Sequence, residues 1–248
     1  MKIAVAGATG AVGSHVVTEL EKAGHVVVPL ARSTGVDLTT GSGLAERLEG
    51  VDALIDCVSV TTLKAKESRD FFTTTSTHLL EAERKAGVGH HVLLSIVGID
   101  KVPTGYYQGK VEQERVVRES GRPHTILRAT QFHEFAEQML ERGKVGPFLM
   151  APTMISAPVA AVEVARALVE LAVGEPHNAT VEMTGPEQLE MVDMIKAVAK
   201  DRGVRAPIIK VPMAFGAAGK AVRNGALVSQ RAWRVGQQSF QSWRLERR

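Results

Sequence analysis

The run Gly7-Ala8-Thr9-Gly10-Ala11-Val12-Gly13 constrains this chain more than any other segment. It follows a short apolar stretch at 3–6 and opens a segment, 14–23, with helical spacing. There Val16, Val17 and Leu20 face one way and Glu19 and Lys22 the other. Gly7 lets the backbone turn off the strand. Gly10 leaves a pyrophosphate room to approach, and Gly13 permits close helix–sheet packing. The free N–H groups of the turn and helix start, among Thr9, Ala11 and Val12, then face phosphates. The spacing is G-x-x-G-x-x-G rather than G-x-G-x-x-G, and an ordinary glycine-rich turn is the plain alternative. The context of strand, turn and helix favours a dinucleotide.

Beyond this turn the first two thirds of the chain alternate. Segments 25–31, 53–58, 91–95 and 124–128 read as strands, and 44–48, 71–85 and 106–119 as helices, with Gly87 closing the second of these. Pro29 pushes 25–31 towards an edge or a bend. Such alternation predicts the α/β class and a Rossmann-type doubly wound parallel sheet. In the last third, 160–173 and 187–202 read as helices and 180–183 and 207–211 as strands, before a final helix and a basic tail. A soft boundary near 130 divides a dinucleotide-binding domain, 1–130, which also receives some later elements, from a smaller α/β substrate-binding part and tail, 131–248.

Composition removes other classes. With 248 residues, 44% hydrophobic and 23% charged, the chain makes one large domain or a domain with a small appendage. One cysteine, Cys57, excludes an intrachain disulfide framework and a multi-Cys metal site. No metal is expected: His90-His91 has no further ligands at suitable spacing, and His133-Glu134 is followed by Glu137 without a second His. No apolar run reaches the roughly 18 residues of a membrane span, and the apolar start is too short for a secretory signal, so a cytoplasmic protein is expected. The net charge is +3, but residues 221–248 hold six Arg and one acid, a local +5 that leaves the rest at −2. No nucleic-acid partner is expected, because no helix-turn-helix or RNA-binding signature accompanies the tail. Trp233 and Trp243 read as anchors of the C-terminus, either to the body or to a second subunit, which keeps a homodimer open.

The end of the second strand selects the cofactor. NAD binding usually needs an acid there for the ribose 2′-OH. This chain has Ala31-Arg32-Ser33-Thr34, and Arg32 and Ser33 suit a 2′-phosphate, so NADP(H) is expected over NAD(H). Asp37 and Leu38 follow, where Asp37 either caps the next turn or meets the adenine. Cys57, Val58 and Ser59 leave the third strand and pass under adenine or ribose mostly through their backbone, while the Cys57 thiol reads as a small core group.

A second constellation carries the chemistry. Ser95 ends a strand, and eleven residues later comes Tyr106-Tyr107-Gln108-Gly109-Lys110. Tyr106 and Lys110 are i and i+4 and share a helix face. Carbonyl reduction needs hydride at carbon and a proton at oxygen. A nearby ammonium lowers a tyrosine pKa and holds the cofactor ribose, and a serine hydroxyl receives the developing oxyanion. Tyr107 is the rival tyrosine, and a plain aromatic patch beside a surface lysine is the bland reading. Both tyrosines of the chain fall here.

These residues, with LLSIVGID at 93–100, ILRATQFHEF at 126–135, PVAAVEVARAL at 158–168 and TGPE at 184–187, resemble the atypical short-chain dehydrogenases/reductases, and within them the NmrA-like NAD(P)H-binding group. The resemblance implies a Rossmann fold with NADP(H) held by Gly7, Gly10, Gly13 and Arg32, and a catalytic set of Ser95, Tyr106 and Lys110. It places Thr130, Gln131, Phe132 and Phe135 at a small-molecule substrate. Many members of the group lack the Tyr-x-x-x-Lys pair and act as redox-sensing regulators; this chain keeps it, with a Ser-to-Tyr interval shorter than usual. The expected activity is hydride transfer between NADP(H) and a small carbonyl or quinone-like compound, with a redox sensor without turnover as the alternative. A nucleotide-sugar epimerase ranks last, since the chain is short for the sugar-binding part.

Overall fold

The computed structural model describes residues 1–247; Arg248, the last arginine of the basic tail, lies outside them. Along the chain run β1 (Lys2–Ala6), α1 (Gly13–Lys22), β2 (Val26–Leu30), α2 (Leu44–Arg47), β3 (Ala53–Asp56), α3 (Ala65–Ala86) and β4 (His90–Ile96). Next come α4 (Tyr106–Glu119), β5 (His124–Ala129), α5 (Phe135–Arg142), β6 (Lys144–Val145), β7 (Phe148–Thr153), β8 (Ile155–Ser156) and α6 (Ala161–Val173). The chain closes with β9 (Ala179–Thr184), β10 (Leu189–Glu190), α7 (Met191–Asp201), β11 (Ile208–Pro212), α8 (Gly216–Arg223), β12 (Arg234–Val235) and α9 (Phe240–Leu245).

Seven strands form one parallel sheet in the order β12-β9-β5-β4-β3-β1-β2. From β1 the chain steps out to β2 and then crosses back to β3 on the other side of β1. That reversal is the switch point beside which open α/β sheets bind ligands, at the carboxyl ends of the strands. β1 and β3 are buried almost throughout, with Ile3, Val5, Leu54 and Ile55 fully inaccessible, as strands covered on both faces must be. Pro29 lies in β2 at the sheet edge, where its missing N–H leaves one ladder position unfilled on the unpaired side.

Two elements differ from their sequence reading for clear reasons. Helix α3 begins at Ala65 rather than 71, because its first turns are polar, solvated apart from the buried Ser68, and supported by a Lys66–Asp70 pair, which leaves no apolar period to detect. Helix α7 begins at Met191 rather than 187, because Leu189 and Glu190 pair antiparallel with β8. The three-stranded sheet β11-β7-β6 was not foreseen.

The chain forms two compact units. The first holds Met1–Ser95, Pro103–Arg128 and Val162–Val181; the second holds Ile96–Val102, Ala129–Ala161 and Glu182 onward. In the first, α3 and α4 cross closely at Gly109, and the buried Glu83 of α3 bonds His91 of β4 at 2.7 Å. In the second, α5 and α7 pack on the small sheet, and α9 sets Trp243 against Phe240 and His133. Arg244 pairs with Asp201 there, so part of the basic tail is neutralised within this unit.

Candidate active site

The glycine turn sits at the carboxyl end of β1. Gly7 has φ +73°, and a Cβ on it would stand 2.8 Å from the carbonyl oxygen of Cys57. A Cβ on Gly13 would stand 2.1 Å from the Gly7 carbonyl oxygen, so the turn closes only with glycine at that position. Gly7 N–H is held by Leu30 O and Gly10 N–H by Gly7 O, while Ser14 N–H reaches back to Gly10 O. Thr9, Gly10 and Ala11 are exposed, and Val12 and Gly13 are buried beneath them. The N–H groups before the first full helical bond lack intrahelical acceptors, which suits an anion. This cradle fits a dinucleotide pyrophosphate.

Around it lie the other expected cofactor residues. Arg32 and Ser33 are exposed in a single 3₁₀ turn after β2. Asp37 caps its own turn: Oδ1 accepts from Thr39 N–H at 2.8 Å and from Thr39 Oγ1 at 2.6 Å. These bonds, aided by Arg32, hold its carboxyl below the usual range. The Leu38 carbonyl faces His78 Nδ1 at 2.9 Å. Cys57 N–H bonds Ala6 O, and burial pushes its thiol up, so its backbone walls the glycine turn while its sulfur stays inert. Val58 is buried, and Ser59 beside it is exposed.

Tyr106 opens α4 and Lys110 follows one turn later. Tyr106 Oη lies 3.0 Å from Ser59 Oγ. Its ring packs edge-on to Phe72 at 5.5 Å. Burial raises its pKa, the Ser59 bond lowers it and Asp56 raises it, and the net direction is up. Burial also pushes the Tyr107 phenol up, and its ring packs on Tyr106. Lys110 is almost fully buried, and its amine donates to Leu94 O at 2.8 Å and to Gln113 Oε1. The amine also lies 4.8 Å above the Phe72 ring centre. Burial lowers its pKa to about 8, against the pull of Asp56 and Glu114.

Ser95 is placed elsewhere. Its hydroxyl is buried and near the Glu114 carboxylate, without reaching a hydrogen bond of good geometry, and it makes none to Tyr106. Glu114 accepts from Arg128 Nε at 2.9 Å and pairs with Arg118. Burial pushes its carboxyl up, but the Arg128 bonds and the charges of Arg128 and Arg118 outweigh this and the net direction is down.

Sequence reasoning missed Gln113 and reads Asp56 only as a strand-end residue near the cofactor edge. Asp56 is fully buried at the end of β3; Oδ1 accepts from Val58 N–H and Oδ2 from Gln113 Nε2, both at 2.9 Å. A chain thus runs from the loop after β3 through Asp56 and Gln113 to Lys110. The available signal was an acid interrupting an apolar strand and a glutamine three residues beyond the lysine, on the same helix face.

In the second unit, Thr130 Oγ1 donates to Ala157 O at 2.5 Å, and Gln131 Oε1 accepts from Ser156 Oγ at 2.8 Å. Their polar groups are thus engaged within the unit. Phe132 and Phe135 are half-buried. Among the described residues no cluster of three or more His, Cys, Asp or Glu is placed to hold a metal, and no helix is long and apolar enough to cross a membrane.

A seven-stranded parallel sheet with a glycine cradle at its switch point defines a Rossmann-type protein. The chain belongs to the NAD(P)H-binding family, whose model matches residues 7–175. This fits the resemblance to the atypical short-chain reductases and agrees with an oxidoreductase. A reductase of (4-alkanoyl-5-oxo-2,5-dihydrofuran-3-yl)methyl phosphate from Streptomyces griseus subsp. griseus is 33% identical over 144 residues, covering 52% of this chain and 48% of that protein. The chain therefore spans about half the length of this curated relative. Among solved structures, an NADPH-dependent quinone oxidoreductase of Escherichia coli superposes with TM-score 0.68 at 17% identity over 98% of both chains. MoeE5 in complex with UDP-glucose and NAD superposes with TM-score 0.70 at 20% identity over 85% of each. At these identities the two structures share the fold.

Proposed function

We propose that the protein is an NADP(H)-dependent reductase of a small carbonyl or quinone-like compound. The observation that carries this reading is the place of Tyr106. Its hydroxyl meets Ser59, two residues past the Cys57 carbonyl that walls the glycine turn. A phenol is thereby held beside the loop under which a nicotinamide ribose would lie. The bound cofactor supplies the hydride. Tyr106 gives the proton to the substrate oxygen, and Lys110, one turn along, holds ribose hydroxyls when its amine is charged. Arg32 and Ser33 take the 2′-phosphate, which favours NADP(H). The named reductase and quinone oxidoreductase above support this chemistry class.

The experiment is direct. Mix the protein with NADPH and a panel of aldehydes, ketones and quinones, and follow the loss of NADPH absorbance. Tyr106→Phe should lower turnover by about 10²–10⁴-fold, as expected for loss of a general acid, with NADPH binding nearly intact. Equal turnover in the variant removes Tyr106 from the reaction.

One observation favours a second reading. The Lys110 amine is engaged by Leu94 O and Gln113, and Ser95 is turned to Glu114. A redox sensor that binds NADP(H) without turnover needs neither group at a substrate. The same panel separates the two readings: binding with no NADPH loss on any substrate selects the sensor.

A further inference from the structure

The strand-end serine of the sequence pattern faces Glu114, yet Tyr106 still meets a serine, Ser59, from the loop after β3. This pair is built into the fold. Asp56 Oδ1 grips the N–H of Val58, next to Ser59, at 2.9 Å. On the other side, Ser68 Oγ of α3 donates to Tyr106 O at 2.8 Å and fixes the first turn of α4. Gly105, just before that turn, would bring a Cβ within 2.9 Å of Leu63 O, so the loop lies tightly against the helix start. Ser59 is exposed, whereas Tyr106 is half-buried.

We propose that Ser59 is the positioning residue for proton transfer by Tyr106, donating its hydroxyl hydrogen to the phenolate oxygen that forms there. The proposal rests on the reductase reading above. The substrate carbonyl carbon accepts the electron pair and hydrogen that NADPH supplies, and the carbonyl π-bond becomes an oxygen lone pair. That oxygen takes the proton from Tyr106 Oη as the phenol O–H bond breaks. While the phenol is intact either hydroxyl can donate; once the proton has left, Ser59 alone can. Exposed to water, Ser59 then passes a proton to Tyr106 and takes one from solvent, which restores the phenol.

The electrostatics agree. Asp56 from β3 and Tyr107 from α4 face Tyr106; Lys110, one turn along α4, turns its amine to Leu94 and Gln113, and α3 brings Phe72 and Ser68, which do not titrate. Burial and Asp56 push the phenol up, and the Ser59 hydrogen bond opposes them.

The first test needs no cofactor. The chain has two tyrosines, so ¹³Cζ-tyrosine NMR gives two resonances, and Tyr107→Phe assigns them. Ser59→Ala should raise the titration midpoint of Tyr106 by about one pH unit, the worth of a charge-assisted hydrogen bond, and Ser59→Thr should restore it. A midpoint that ignores Ser59 overturns the proposal. The second test uses NADPH and menadione, or whichever panel member the native protein reduces. Reduction requires the protonated phenol, so its alkaline limb should move to higher pH in Ser59→Ala. kcat should fall about tenfold, the factor that one pH unit of pKa shift carries, with KM unchanged. An unmoved limb with unchanged kcat also overturns it. Failure of the reductase reading is distinguishable: native protein would consume no NADPH, while the tyrosine titration would still respond to Ser59.

Discussion

At the residue scale, what each candidate group does follows from how far it is withdrawn from water. Lys110 is buried, and its pKa falls from 10.5 to about 8. Below about 8 it is an ammonium able to hold ribose hydroxyls; above that it is a neutral amine. NADPH affinity should therefore decline as pH rises through about 8, and Lys110→Met should remove that dependence, as calorimetry across the pH range would show. Linkage has a matching sign. The unfolded chain binds this proton more tightly between the two values, so the group adds stability as pH rises from about 8 towards 10.5 and loses it as pH falls back. Arg32 is the reverse case, exposed at the cofactor end of β2. Arg32→Ala should weaken NADPH about tenfold or more relative to NADH, the scale of one charge-assisted contact. Equal losses for both coenzymes in a titration would remove the 2′-phosphate assignment. Tyr106 and Lys110 were legible as a four-residue spacing on one helix. Ser59 was legible only as a backbone contact, because its partner lies 47 residues away and only the folded loop brings the hydroxyls together.

At the scale of elements, the site depends on how closely α4 approaches α3. Gly109 makes the approach: an added Cβ would fall 2.1 Å from Ser68 Oγ and 2.7 Å from both Phe72 Cδ2 and the Ser68 carbonyl carbon. Backbone is among those atoms, so a rotamer change cannot absorb the clash. Gly109→Ala should destabilise the protein by about 1–3 kcal/mol, the usual cost of overpacking, read from denaturant unfolding. It should also reduce turnover beyond that loss, because Ser68 holds the Tyr106 carbonyl one turn away. Native stability in this variant would show that the helices separate easily. The sequence announced α4 through its polar and apolar spacing, and the structure gives it the bounds 106–119. It could not announce the first turns of α3, whose polar residues carry no apolar period.

For the whole molecule, the first unit is assembled from three separate stretches of chain. The third, Val162–Val181, returns to pair His177 N–H with Thr125 Oγ1 at 3.0 Å and Asn178 N–H with His124 O at 2.8 Å, and Arg166 bonds Glu19. A chain cut after residue 130 should thus unfold without a cooperative transition and fail to bind NADPH, whereas a cooperative melt monitored by circular dichroism would show that the later stretch is dispensable. The sequence by itself determined the fold class, the glycine turn and the tyrosine–lysine helix face, because each is a local pattern whose period or steric need is written in adjacent residues. Tertiary structure alone decided that Ser95 faces Glu114, that Ser59 meets Tyr106, and that Asp56 and Gln113 tie the loop after β3 to Lys110. Those contacts join residues far apart in the chain, and they are set by which strand lies beside which and how closely two helices cross.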